Sequence, residues 1–235
     1  MKDNLTIKVR DEELEINDNI ADYSSALVRG IVGMAPVVGP ILAEVITSGI
    51  PNQKLDRVIT FIKIFEDRIK YLEEDFLEGR IRGEEFGDLL EDALPQAARA
   101  LSEERRVYIA NLLKNSLTDE KLDHDGKKKL LSVLNALNDP EIILLYFYSI
   151  DGHGRERVFA LQDRHPFIAK AISRGALSRS DVLGDVLLNS YRTALLMHNL
   201  IVEREEPLSE QITALGELLI KYIEPKANLD IDSIS

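Results

Sequence analysis

The sequence predicts a mainly α protein in two parts, on three observations. Leu55, Val58, Ile62, Phe65, Ile69, Leu72 and Phe76 repeat at alternating spacings of 3 and 4, the heptad seam of a long amphipathic helix. Apolar residues make up 45% of the chain and charged ones 30%, enough to bury a real core. Near the C-terminus the pattern runs helix, short strand, turn, short strand, helix. A length of 235 residues suits one large domain or two small ones, and two is the favoured expectation.

Residues 1–17 read as a short β arm or hairpin. Leu5 to Val9 alternates as a strand, and Leu14 to Ile16 returns across Asp11, Glu12 and Glu13. Residues 18–117 read as a helical bundle. Asp18 or Asn19 caps a helix reaching about Met34, and Pro36 ends it by excluding the helical conformation from the residue before it. A second short helix runs from Pro40 to Ser48 and closes at Gly49.

These two helices share the apolar stretch 26–50, punctuated by Gly30, Gly33, Pro36, Gly39, Pro40 and Gly49, with no charge from Ile31 to Ala43. A single membrane-spanning helix needs about 20 apolar residues, and this run falls short. The stretch reads as a buried helical hairpin whose glycines allow close packing, or as a segment that engages a partner or membrane after a trigger. Ile31, Val32, Met34, Val37, Val38, Ile41 and Leu42 are the residues that would make that contact.

The heptad helix starts near Asn52 and is expected to reach Gly79, about 40 Å at 1.5 Å per residue. Lys63, Glu66, Asp67, Lys70, Glu73 and Glu74 form its solvated face. Helices over Glu84–Ala93 and Pro95–Leu101 follow, then one capped by Ser102 and ending near Leu117. Residues 118–126, polar and acidic with a closing Gly, are the expected linker.

Residues 127–225 read as a winged-helix-like domain with a small β-wing. Its helices run from Lys127 to Ala136 and from Asp139, with Pro140 in the favoured first turn. The second of these is apolar all round and therefore buried. Asp151 to Gly154 is a loop, and helices follow over His165–Arg174 and Ser180–His198. Asn199 tolerates the left-handed conformation that ends a helix. Strands are expected over Leu200–Arg204 and Glu210–Thr213, then a closing helix from Leu215; residues 226–235 form a tail.

The chemistry-bearing residues are sparse. There are no cysteines, which excludes disulfides, thiolate metal sites and a Cys nucleophile. His124, His153, His165 and His198 show no zinc-pair spacing, so no metal or cofactor is expected. Glu84, Glu85, Asp88, Glu91 and Asp92 make an acidic helix face that reads as solvated. No Ser or Thr sits at a recognisable offset from a histidine, and no enzyme is expected. The acid-rich N-terminus lacks a secretory pattern, which makes a cytoplasmic protein the expectation.

Net charge is −12, spread as −7 before and −5 after residue 117, which opposes generic affinity for nucleic acid or an anionic membrane surface. One local patch disagrees: Arg155, Arg157, Arg164, Arg174 and Arg179, with Arg192 further on, would serve a DNA-binding winged helix. Asp181 and Asp185 near the start of the recognition helix, and Glu203, Glu205 and Glu206 around the wing turn, oppose it. Protein contact or self-association is the favoured reading, with nucleic acid the alternative.

Gly30 to Gly39, Ile50-Pro-Asn-Gln-Lys-Leu-Asp-Arg57 and Thr213 to Gly216 together cover about a tenth of the chain. With a Gly/Pro-rich apolar segment ahead of a long helix, this layout resembles bacterial abortive-infection proteins of the Abi-alpha type. At a coarser level it resembles the membrane-active helical bundles of prokaryotic cell-suicide effectors. The resemblance implies a non-enzymatic component of antiviral (phage) defence in which residues 26–50 engage a partner or membrane.

Overall fold

The heptad seam folds as α1, Asn52–Ile69, with Val58, Ile62, Phe65 and Ile69 buried along it. The computed structural model describes residues 52–81, 83–149, 182–204 and 209–225. The expected N-terminal arm, the apolar stretch 26–50, the helix over 165–174 and the tail all lie outside those residues.

The seam does not run unbroken to Gly79. α1 stops at Ile69, the chain turns through Lys70, Tyr71 and Leu72, and α2 occupies Glu74–Ile81. A straight helix would carry Phe76 about 10 Å beyond Ile69. The turn instead brings α2 against its neighbours α3 (Glu84–Arg99) and α4 (Glu103–Thr118), burying Ile81 and packing Leu72 and Leu77 on the core.

The two helices expected around Pro95 are one. α3 runs through Pro95, whose missing N–H leaves the carbonyl of the exposed Glu91 to solvent. A proline inside a helix costs about 3 kcal/mol. Burial of Leu90, Ala93, Leu94, Ala97 and Ala98 on either side keeps the helix continuous. Phe65 and Phe86 stack at 5.9 Å across the α1–α3 contact.

α4 is the central helix, buried without interruption from Val107 to Leu113, and it packs against α1, α2 and α3. Ser102 caps it by accepting from the Arg105 amide at 3.2 Å and donates to Asp139 Oδ2 at 2.6 Å. The expected linker 118–126 narrows to Asp119–Asp123. Thr118 is still helical, and α5 (His124–Ala136) already begins where Asp123 accepts from the Gly126 amide at 2.9 Å. α6 (Asp139–Tyr148) starts from a complete capping box between Asn138 and Glu141, and its apolar run Ile142–Tyr146 is buried.

α7 is Val182–Met197, followed by β1 (Ile201–Arg204), β2 (Ser209–Ile212) and α8 (Ala214–Ile223). The strands pair antiparallel with Ile201 opposite Ile212, which turns Ile201 into the core and leaves Val202 exposed. α8 lies against α4 rather than only against its sequence neighbours, and residues from α1 through α8 join one hydrophobic core. The described residues are therefore mainly helical, with one two-stranded sheet.

Among the described residues no single helix is long and apolar enough to cross a membrane. The pair α5–α6 passes that test only in combination and is bent by 117°. Its apolar residues Leu130, Leu134, Ile142 and Leu145 are core.

Candidate interaction surface

α7 faces the core through Gly184 and Leu195, which are buried, and through Leu188 and Tyr191, which pack on its margin. Its neighbours are α6 and β1. At about 100° per residue, Val186, Asn189, Ser190, Thr193 and Met197 fall on the opposite side within an arc of about 100°. All five are exposed, Val186 by 58% and Met197 by 81%. None carries a charge, in a chain where charged residues are 30% of the total.

The two charged residues of α7, Asp185 and Arg192, lie on its flank and are half-buried. Arg192 is the one described member of the basic set singled out in the sequence. It hydrogen-bonds the hydroxyl of Tyr148 on α6 and partly offsets the upward push that burial exerts on that phenol. Its guanidinium thus serves the α6–α7 contact. Arg155, Arg157, Arg164, Arg174 and Arg179, and the apolar residues from Ile31 to Leu42, lie outside the described residues.

The hairpin beside α7 is set by local geometry. Asn199 ends α7 in the left-handed conformation at φ 56°. The Leu200 amide then closes on the Leu195 carbonyl at 2.9 Å, the paired arrangement of a helix end. Thr213 ties the far side of the hairpin back to this point. Its amide donates to Leu200 O at 2.9 Å and its hydroxyl to Asn199 O at 2.7 Å, while the same hydroxyl accepts from the Gly216 amide at 3.1 Å. Gly216 sits where a Cβ would meet Ile212 Cγ1 at 2.7 Å and the Leu200 carbonyl closer still, so only glycine lets α8 cross here. The register pairs Glu203 with Glu210, placing two acids opposite each other in the ladder.

Two polar clusters lie elsewhere. On α3 and α5, Asp88 accepts from Lys128 Nζ at 2.7 Å and pairs with His124 Nε2 at 2.8 Å, and Lys128 also reaches Asp92 at 3.1 Å. The acidic face expected to be fully solvated is thus partly turned onto α5. Asp88 and Asp92 remain about half exposed, with side-chain exposures of 44% and 51%, and the cluster clips two helices together. Among the described residues no group of three His, Cys, Asp or Glu converges as a metal site would. At the junction of α4 and α8 an open, polar recess of about 540 Å³ is lined by Asn115, Asp119, Lys121, Lys221 and Tyr222. Two of its side chains are engaged in packing the helices together: Asn115 bonds the end of α8 and Lys221 pairs with Asp119 at 3.3 Å.

The signal that sequence reading missed is the solvent side of α7, because Val186 and Met197 look like core residues until the helix is docked. Comparisons of the chain with protein-family models, with curated proteins and with solved structures return no match.

Proposed function

We propose that this chain is a non-enzymatic interaction protein and that the exposed face of α7 is one of its protein-binding surfaces. The observation that carries the reading is the uncharged arc Val186, Asn189, Ser190, Thr193 and Met197, with exposed apolar residues at both ends. Protein interfaces are depleted of charge at their centres, and a phosphate backbone demands the opposite. A photo-reactive residue in place of Thr193 in the full chain tests this. A covalent protein adduct is expected, and its absence overturns the reading.

The resemblance to abortive-infection proteins extends the proposal to a component of phage defence in which Ile31 to Leu42 engage a second partner or a membrane. Val38→Asp then relieves growth arrest caused by expressing the chain, and abolishes leakage of liposomes. Toxicity untouched by this substitution contradicts that extension.

A second reading, a winged-helix DNA-binding regulator, is favoured by the order α7, hairpin, α8. The contact positions weigh against it: α7 exposes no cation on its outer arc, Arg192 is engaged with Tyr148, and Glu203 is exposed. It requires salt-dependent duplex binding that falls when Arg174, Arg179 or Arg192 becomes Ala. No binding in low salt ends it.

A further inference from the structure

We infer that the occupant of the α7 face is a second copy of this chain, docked α7 against α7 in antiparallel fashion about a twofold axis. The inference rests on the reading of that face as a protein surface and names its partner.

Val186, Ser190, Thr193 and Met197 are spaced 4, 3 and 4 along the solvent side, a short heptad seam distinct from the face α7 turns to the core. The seam is complementary to its own reverse. When two copies are centred between Ser190 and Thr193, Val186 meets the partner's Met197 and Ser190 meets the partner's Thr193, each contact occurring twice. Apolar layers then enclose a centre of two small hydroxyl residues, which let the helices approach closely and can hydrogen-bond across the axis. A twofold interface needs this kind of self-complementarity.

Charge selects the same face. Two copies at net −12 repel over most approaches, so a self-contact must lie where acids are missing. The positions flanking the seam, Leu187, Asn189, Ala194 and Leu196, are also uncharged. A foreign partner would carry no matching reason for the symmetric order of Val186, Ser190, Thr193 and Met197. The size of the contact sets its strength. α7 has 16 residues, about 24 Å of helix, and a pair of such helices lies at the low end of specific interfaces, below about 1,200 Å². The dimer is therefore reversible and depends on concentration.

Sedimentation velocity on the full chain tests this, with two paired variants, Ser190→Asp/Thr193→Asp and Ser190→Lys/Thr193→Lys. The wild-type mass is expected to climb from 26.5 kDa toward twice that value as concentration rises. Each variant alone stays monomeric, with association weakened at least about tenfold. An equal mixture of the two regains the dimer, because every acidic position then faces a basic one. Both substituted residues are exposed, and circular dichroism checks that helix content is kept. A wild type monomeric throughout, variants that associate like wild type, or a mixture that stays monomeric each overturns the inference. The crosslinker at Thr193 separates this failure from that of the broader reading. An adduct with a different protein removes self-pairing and leaves the interaction surface standing, whereas a link within one chain to residues 31–43, or none at all, removes both.

Discussion

Asn111 on α4 donates from Nδ2 to the Ile223 carbonyl at the end of α8, at 2.9 Å and across 112 positions of sequence. The last carbonyls of a helix have no intrahelical partner, and here α4 supplies them. Asn115 donates to Tyr222 O at 2.9 Å and to Glu224 Oε1 at 2.9 Å, and Lys114 reaches the same carboxylate at 3.2 Å. Glu224 takes the left-handed conformation at φ 46° to make this possible. The hairpin and α7 are thereby held on the body of the protein from the far end of α8.

Asn111→Leu tests the clamp. The Ile223 carbonyl stays buried without its donor, which costs about 1–3 kcal/mol. Urea unfolding should show a lower midpoint at unchanged slope.

Glycine substitutions separate a required close approach from a merely tolerated one. Gly216→Ala drives a methyl into the Leu200 carbonyl and Ile212, and should cost at least about 2 kcal/mol. Gly79→Ala, in α2 with open space around it, should instead stabilise by about 0.5–1 kcal/mol. Thermal unfolding of the two variants should move in opposite directions.

Tyr222 governs the alkaline limb. Burial first, and the Asp119 carboxylate beside it, push its hydroxyl from 10.0 up to about 12. A raised phenol contributes stability that is complete below pH 10.0 and is lost as pH rises toward about 12. Ultraviolet titration of the seven tyrosines should find Tyr222 ionising last, after the also raised Tyr148 and together with unfolding, and Tyr222→Phe should remove this last step.

Asp88 acts at the opposite limb. Its hydrogen bond from Lys128, then that from His124, hold its carboxyl below 3.8. A depressed carboxyl contributes stability that is present above 3.8 and is lost as pH falls below it. Asp88→Asn should flatten the acid dependence of unfolding, with a small effect at neutral pH because the pair is partly exposed.

Local chemistry made much of this architecture legible. Asn199 carries its own tendency to the left-handed region, and the alternating strands and the Thr213 cap sit within a few residues of the bonds that define them. The turn at Tyr71 and the continuity of α3 through Pro95 were hidden because they depend on what α2 and α3 bury against. Tyr71 and Pro95 taken alone signal neither. The role of Arg192 was hidden for a similar reason, since its partner Tyr148 lies on another helix. The uncharged α7 face was the least legible feature. Periodicity locates two apolar stripes on that helix, and only docking against α6 and β1 decides which one is left outside.

Crosslinking from α7 decides whether its outer face binds protein. The photo-reactive residue is placed in turn at Thr193 and at Lys63, on the exposed, charged side of α1. A discrete protein adduct is expected from position 193 in cells and none from position 63. Equal yields from both positions, or no adduct from 193, would contradict this reading.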